Sequence, residues 1–276
     1  MGIRYKFKFS ADKRRMLLLL SCVALLLPTA ACAAVKLSTQ SVTSAGISAK
    51  VTYRQGVFED TGTRVTITAP GLPRYSQRVD ALLCGRLCQV TPDHALALAK
   101  LDIGAGTPKD VVLSLYSGGA HCCSVDEVYY PSANGYRRAQ YDFGDPGAEL
   151  EAIGPGGSVQ FVTADDGFAY QFTDYAESGL PLEILSFQDG RFTNVTSTHP
   201  ALIAADARSW WKYYLADHDS GRVGLIAAWA ADEYELGAQS QAKAQSVLAA
   251  QVAAKQITQQ FVNQLQSYLT AHHYGS

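Results

Sequence analysis

The densest concentration of reactive side chains is Ser117-Gly118-Gly119-Ala120-His121-Cys122-Cys123, a Gly-rich turn followed by an imidazole and two adjacent thiols. A histidine beside a cysteine lowers the thiol pKa and makes a nucleophile, so one reading is a thiol-dependent or redox site on His121, Cys122 and Cys123. A second is a soft-metal site, with the same imidazole and two thiolates as ligands. A third is structural. Cys84, Cys88, Cys122 and Cys123 make four cysteines beyond residue 33, and an even number in an exported chain predicts disulfides. A Cys122–Cys123 bond is strained, because neighbouring Cα atoms lie only about 3.8 Å apart. Pairing across to Cys84 and Cys88 avoids that strain but needs a turn through the adjacent pair. Both connectivities stay open.

Carboxylates supply the other candidates. Asp165-Asp166-Gly167, with Asp174, is compatible with calcium or with acid–base work, and also with turns capped by aspartate beside aromatic strands. His121, Asp165 and Asp166 are the candidate ligand-binding residues. The remaining histidines lack HxxxH or HExxH spacing, and there is no Gly-x-Ser-x-Gly elbow, phosphate loop or dinucleotide fingerprint. No metal and no cofactor are therefore expected, and the chain reads as a binding or structural module rather than an enzyme. Asn194-Val195-Thr196 is a glycosylation sequon that matters only in a eukaryotic secretory route.

The compartment follows from the N-terminus. Arg4, Lys6, Lys8, Lys13, Arg14 and Arg15 precede an apolar run, Met16–Leu27, which Pro28 breaks before Ala31-Cys32-Ala33. Basic flank, short apolar core and small residues predict a signal peptide over 1–33, cleaved near Ala33 or Ala34, with a periplasmic or secreted product. Residues 1–33 hold six of the 23 Lys and Arg and one of the 25 Asp and Glu, leaving 17 and 24, a net −7. No run of basic residues survives cleavage, so nucleic acid and anionic lipid are not expected partners. Stable membrane insertion is not expected either. An unknown protein or small molecule remains as the partner.

The elements that must position these groups change period once. In 34–198 the text is strand-like: Ile47–Tyr53 and Arg64–Thr68 alternate apolar and polar residues, and Val111–Tyr116 reads as an inner strand. Asn134-Gly135 and Asp189-Gly190 are hairpin signals. Two units of roughly 50 residues, about 101–145 and 150–198, each run from a Gly-rich loop through two strands to such a hairpin, as stacked propeller blades do. From 199 the period becomes helical. His199-Pro200 opens a helix with Ile203, Ala207, Trp210 and Tyr214 on one face, and a second helix with Leu225 and Trp229 stops at Gly237. Gln239–Leu269 reads as one long third helix. The expected fold is thus a β-rich, antiparallel, propeller-like or sandwich-like N-terminal region, followed by a small all-α C-terminal region.

Asp102–Tyr130, with its Gly-rich loop, Pro108, aliphatic strand and Gly-Gly-Ala-His-Cys-Cys, resembles segments of uncharacterised exported bacterial proteins. Those segments are similar to FG-GAP or VCBS repeats, the blades of integrin-α-like propellers. Phe161–Thr196 resembles a second unit, and Trp210-Trp211 with Ala227–Gly237 resembles the C-terminal part of that group. The resemblance covers roughly half to two-thirds of the mature chain, with the His-Cys-Cys motif as its specific element. It implies a propeller-like fold and no particular activity. The calcium loop of such repeats, Asp-x-Asp-Gly-Asp-Gly, is replaced by Asp102-Ile103-Gly104-Ala105-Gly106 and Ala152-Ile153-Gly154-Pro155-Gly156, too poor in carboxylates to hold calcium.

Overall fold

The computed structural model describes residues 36–79, 89–101, 110–119 and 123–275. The leader, Cys84, Cys88, the Asp102–Gly106 loop, His121 and Cys122 lie outside the described residues.

Among the described residues three antiparallel sheets come first, then four α-helices. β1 (Leu37–Ser44), β2 (Ile47–Arg54), β3 (Thr61–Thr68) and β4 (Tyr75–Arg78) form a meander in that order. The second sheet pairs β5 (Gln89–Val90) and β6 (Leu96–Ala99) to the same side of β7 (Asp110–Tyr116), followed by β8 (Ser124–Ser132) and β9 (Gly135–Asp142). The third is again a meander, of β10 (Glu149–Glu151), β11 (Gln160–Ala164), β12 (Leu182–Gln188) and β13 (Arg191–Asn194). Among the described residues no sheet closes into a barrel.

Strand periodicity stacks the sheets face to face. On β2 and β3, Ile47, Ala49, Val51, Val65 and Ile67 meet Val111, Leu113 and Leu115 of β7 in one core. The opposite face of the second sheet, through Val112, Val128 and Tyr130, packs on Phe161, Leu185 and Phe187 of the third. The second sheet is therefore covered on both sides, which is why β7 reads as continuously apolar. Val162 and Ile184, on the far face of the third sheet, meet Ile203 of the first helix. The hairpin between β12 and β13 turns on Asp189 and Gly190, with φ of 50° and 85°. Gly190 is required there twice over, since a Cβ would also come 2.3 Å from Tyr130 Oη in the second sheet.

Helix α1 (Pro200–Ala216) opens on a Pro at its first position and buries Ile203, Ala207 and Tyr214. Helix α2 (Val223–Glu235) is buried nearly all round and ends before Gly237, whose φ is 97°. The predicted long third helix is corrected: α3 (Ala238–Ala253) and α4 (Gln259–Ala271) are separate. Lys255 takes a left-handed φ of 58°, and Thr258 starts α4 by accepting from the Phe261 N–H at 3.1 Å. Neither residue is Gly or Pro, so the break carried no punctuation. It folds α4 so that Ile257, Phe261 and Leu265 enter the core around Trp229 and Leu248.

Candidate functional site

The Gly-rich turn after β7 is built by reciprocal bonds across the described edge of the motif. Cys123 N–H donates to Ser117 Oγ at 2.8 Å, and Ser117 N–H to the Cys123 carbonyl at 3.0 Å. Tyr116 Oη donates to the Gly119 carbonyl. Gly118 has φ 76°, and a Cβ there would meet the Phe58 carbonyl at 3.7 Å, so the turn lies against the β2–β3 loop. Cys123 is disulfide-bonded. A sulfur in a disulfide has no thiolate to offer.

The same end of the stack receives the Asp165-Asp166-Gly167 loop. Ser124 N–H donates to the Gly144 carbonyl at 2.7 Å, and a Cβ on Gly144 would stand 2.3 Å from Asp166 Oδ2. The residue next to Cys123 and the carboxylate of Asp166 are thus neighbours through one glycine. Burial raises the Asp166 pKa, with Asp145 adding to the rise through its charge while its N–H opposes it. One Asp166 oxygen is buried without a hydrogen-bond partner.

Asp165 faces the other way and clasps the two regions together. Its Oδ1 accepts from Gly167 N–H at 2.8 Å, closing a turn, and its Oδ2 accepts from Tyr274 Oη at 2.7 Å. Tyr268 Oη donates to the Gly167 carbonyl at 2.8 Å. Phe168, 1% exposed, then inserts edge-on between the Tyr268 and Tyr274 rings, with centroids at 5.1 and 5.7 Å. Of the two readings of this aspartate, turn capping is the one the geometry displays. Among the described residues no group of three or more His, Cys, Asp or Glu is placed to hold a metal.

Beside the clasp lies a polar cavity of about 380 Å³ between the third sheet and the C-terminal helices. Asp165, Glu183, Asn194, Glu235, His272 and His273 line it. Burial, then the charge of Asp165, pushes the Glu183 carboxyl up to about 7, against a 3.1 Å bond from Asn194 Nδ2. Asn194 is fixed in turn, its Oδ1 accepting from Thr196 N–H and Oγ1 at 2.9 and 2.7 Å. Both polar ends of the sequon are therefore engaged in holding Glu183 and the end of β13. A carboxyl titrating near neutrality can hold a proton for, or take one from, a polar molecule in the cavity.

Sequence reasoning missed Glu183, and it missed a second acidic pair. Asp232, 1% exposed on α2, faces Asp206 of α1, and burial with the Asp206 charge raises its pKa well above the usual range. Asp206 also accepts from Trp210 Nε1 at 2.8 Å. The available signal was periodicity: Asp206 lies three residues after Ile203 and four before Trp210, on the apolar stripe.

The chain is 29% identical over 203 residues to a probable thylakoid lumen protein of Synechocystis, a match covering 69% of this chain and 57% of that protein. It is 28% identical over 149 residues to an uncharacterized protein of Sinorhizobium fredii, covering 52% of this chain and 24% of that one. The chain thus spans less than two-thirds of either relative. No family model matches, and no solved structure matches significantly.

Proposed function

We propose that this is an exported, extracytoplasmic binding module without catalytic activity, held together in part by disulfides. One observation carries the reading: Cys123, the described member of the Cys-Cys pair, is already in a disulfide. The spending of Asp165 on a turn and on Tyr274 agrees with it. The lumenal description of the Synechocystis relative supports a location outside the cytosol, as does the leader-like N-terminus. Among the described residues no helix is long and apolar enough to cross a membrane. The cavity at Glu183 is the recess in which a small polar ligand would be held.

The division into a β-rich part, 34–198, and a helical part, 199–276, and the kinship of the second and third sheets with FG-GAP-like blades belong to the same proposal. Support comes from β7 and β11, which begin at Asp110 and Gln160 and each lead through two further antiparallel strands. The test is a thiol count on protein isolated from its native compartment. No alkylatable thiol beyond residue 33 is expected. Two or more would favour a thiol-dependent enzyme or soft-metal site on His121, Cys122 and Cys123 instead.

A further inference from the structure

We propose that the outer face of the first sheet is a binding surface for an anionic polysaccharide, a hydrophilic chain bearing carboxylate, sulfate or phosphate groups. None of the residues in β1–β4 is acidic, and the basic ones are Lys50, Arg54, Arg64 and Arg78. Strand alternation decides where they point. Val51, Tyr53, Val65, Ile67 and Tyr75 face the core, so all four cations stand on the opposite, exposed face.

Register then draws them together. Thr52, Arg64 and Arg78 are successive cross-strand partners, as are Lys50, Thr66 and Ser76. Two arginines directly opposite each other repel and destabilise the pair. Arg64 eases this only by donating to the Ser76 carbonyl and hydroxyl, at 3.2 and 3.4 Å. Among the described residues none of the four cations forms an ion pair with a carboxylate. The face continues at the β4 edge into a cleft of about 610 Å³, lined by Arg64, Arg78 and Arg138 of β9, the last already paired with Glu127 at 3.3 Å. Such a cluster stands out on a chain whose residues 34–276 are net −7.

Charge complementarity selects an oxyanion ligand, because guanidinium forks bind carboxylate, sulfate and phosphate with paired hydrogen bonds. The rest of the face selects a glycan. Between the cations stand hydroxyls, including Thr39, Ser41, Thr52, Thr66 and Ser76, suited to sugar hydroxyls. Leu37, at one corner, is the large apolar side chain that β1–β4 expose on this face; the exposed Val57 and Phe58 stand on the β2–β3 loop, not among the cations, so the strands themselves offer no apolar patch or ring. The choice of a glycan rests on the exported-module reading, because glycans of this kind are met outside the cytosol.

The test is fluorescence anisotropy of the full chain with labelled dextran sulfate, polygalacturonate and neutral dextran at 20–200 mM NaCl. The parent is compared with R64Q/R78Q and K50Q/R54Q/R64Q/R78Q, each checked for an unchanged circular dichroism spectrum and melting temperature. Binding of both anionic polymers but not dextran is expected, weakening as salt rises. R64Q/R78Q should bind about tenfold more weakly or worse, whereas K212Q, a charge change on α1, should not. The proposal is overturned if the quadruple variant binds as the parent does. It is equally overturned if phosphatidylglycerol vesicles or DNA bind as tightly through the same residues, or if those residues instead drive salt-sensitive self-association. Should R64Q/R78Q misfold, R78Q and R64Q singly give the same readout. Free thiols alongside intact glycan binding would sink the disulfide reading and leave this one standing.

Discussion

Asp232 should make the fold weaken as pH rises, and replacing it with Asn should remove that weakness. In an unfolded chain an aspartate titrates near 3.9, whereas here burial and Asp206 keep the Asp232 proton on well above that. Between the unfolded pKa and the raised folded one, the folded state therefore binds one more proton than the unfolded state. Stability then falls with increasing pH until the folded pKa is passed, by about 1.4 kcal/mol per pH unit for each such proton. The loss from this group accumulates over the interval between the ordinary carboxylate range and its raised folded pKa. Asp126, whose carboxyl burial pushes up to about 7, and Glu183, also about 7, add losses of the same sign. Asp232→Asn is neutral at every pH and its amide can donate to Asp206. Urea unfolding followed by tryptophan fluorescence at pH 5, 6 and 7 reads the difference. The variant's stability should fall less steeply than the parent's between pH 5 and 7, by up to about 1.4 kcal/mol per pH unit. Parallel profiles would refute the buried-proton account.

Three further outcomes are expected. Glu127→Ala should cost about 3–5 kcal/mol in urea unfolding, since fully buried Glu127 pairs with Arg138 at 3.3 Å and accepts from Tyr129 and Gln140. Tyr274→Phe deletes the hydroxyl that reaches Asp165 and should cost about 1–2 kcal/mol, with faster amide exchange at Gly167 as the local sign that the clasp has loosened. Lys255→Gly should raise stability by roughly 0.5 kcal/mol, because Gly relieves a left-handed φ of 58° at some cost in unfolded-chain entropy. Differential scanning calorimetry would register that gain as a small rise in melting temperature.

The fold class was legible because period is a local property. Alternation in Ile47–Tyr53 and Arg64–Thr68, continuous apolarity in Val111–Tyr116, and the 3–4 spacing after Pro200 each report a face that must be buried. Asp189-Gly190 was legible for the same reason, since a two-residue turn depends on its own φ angles. The break at Lys255 was not, because the packing of Phe261 and Leu265 outweighs the helical preference of an ordinary lysine.

Sequence by itself therefore determined the change of period near residue 199, the strands with their inward faces, and the even cysteine count. Tertiary structure alone decided which distant side chains became neighbours. Lys50, Arg54, Arg64 and Arg78 form no basic run, so the sequence predicts no cationic cluster; strand register assembles one all the same. Asp206 and Asp232 lie on different helices, and only helix packing brings the carboxyls within one hydrogen bond. Glu183 meets Asp165 because β11 and β12 pair antiparallel, and its pKa then follows from burial. Periodicity tells each residue which way to face, whereas the charge it meets there depends on chain that lies far away in sequence.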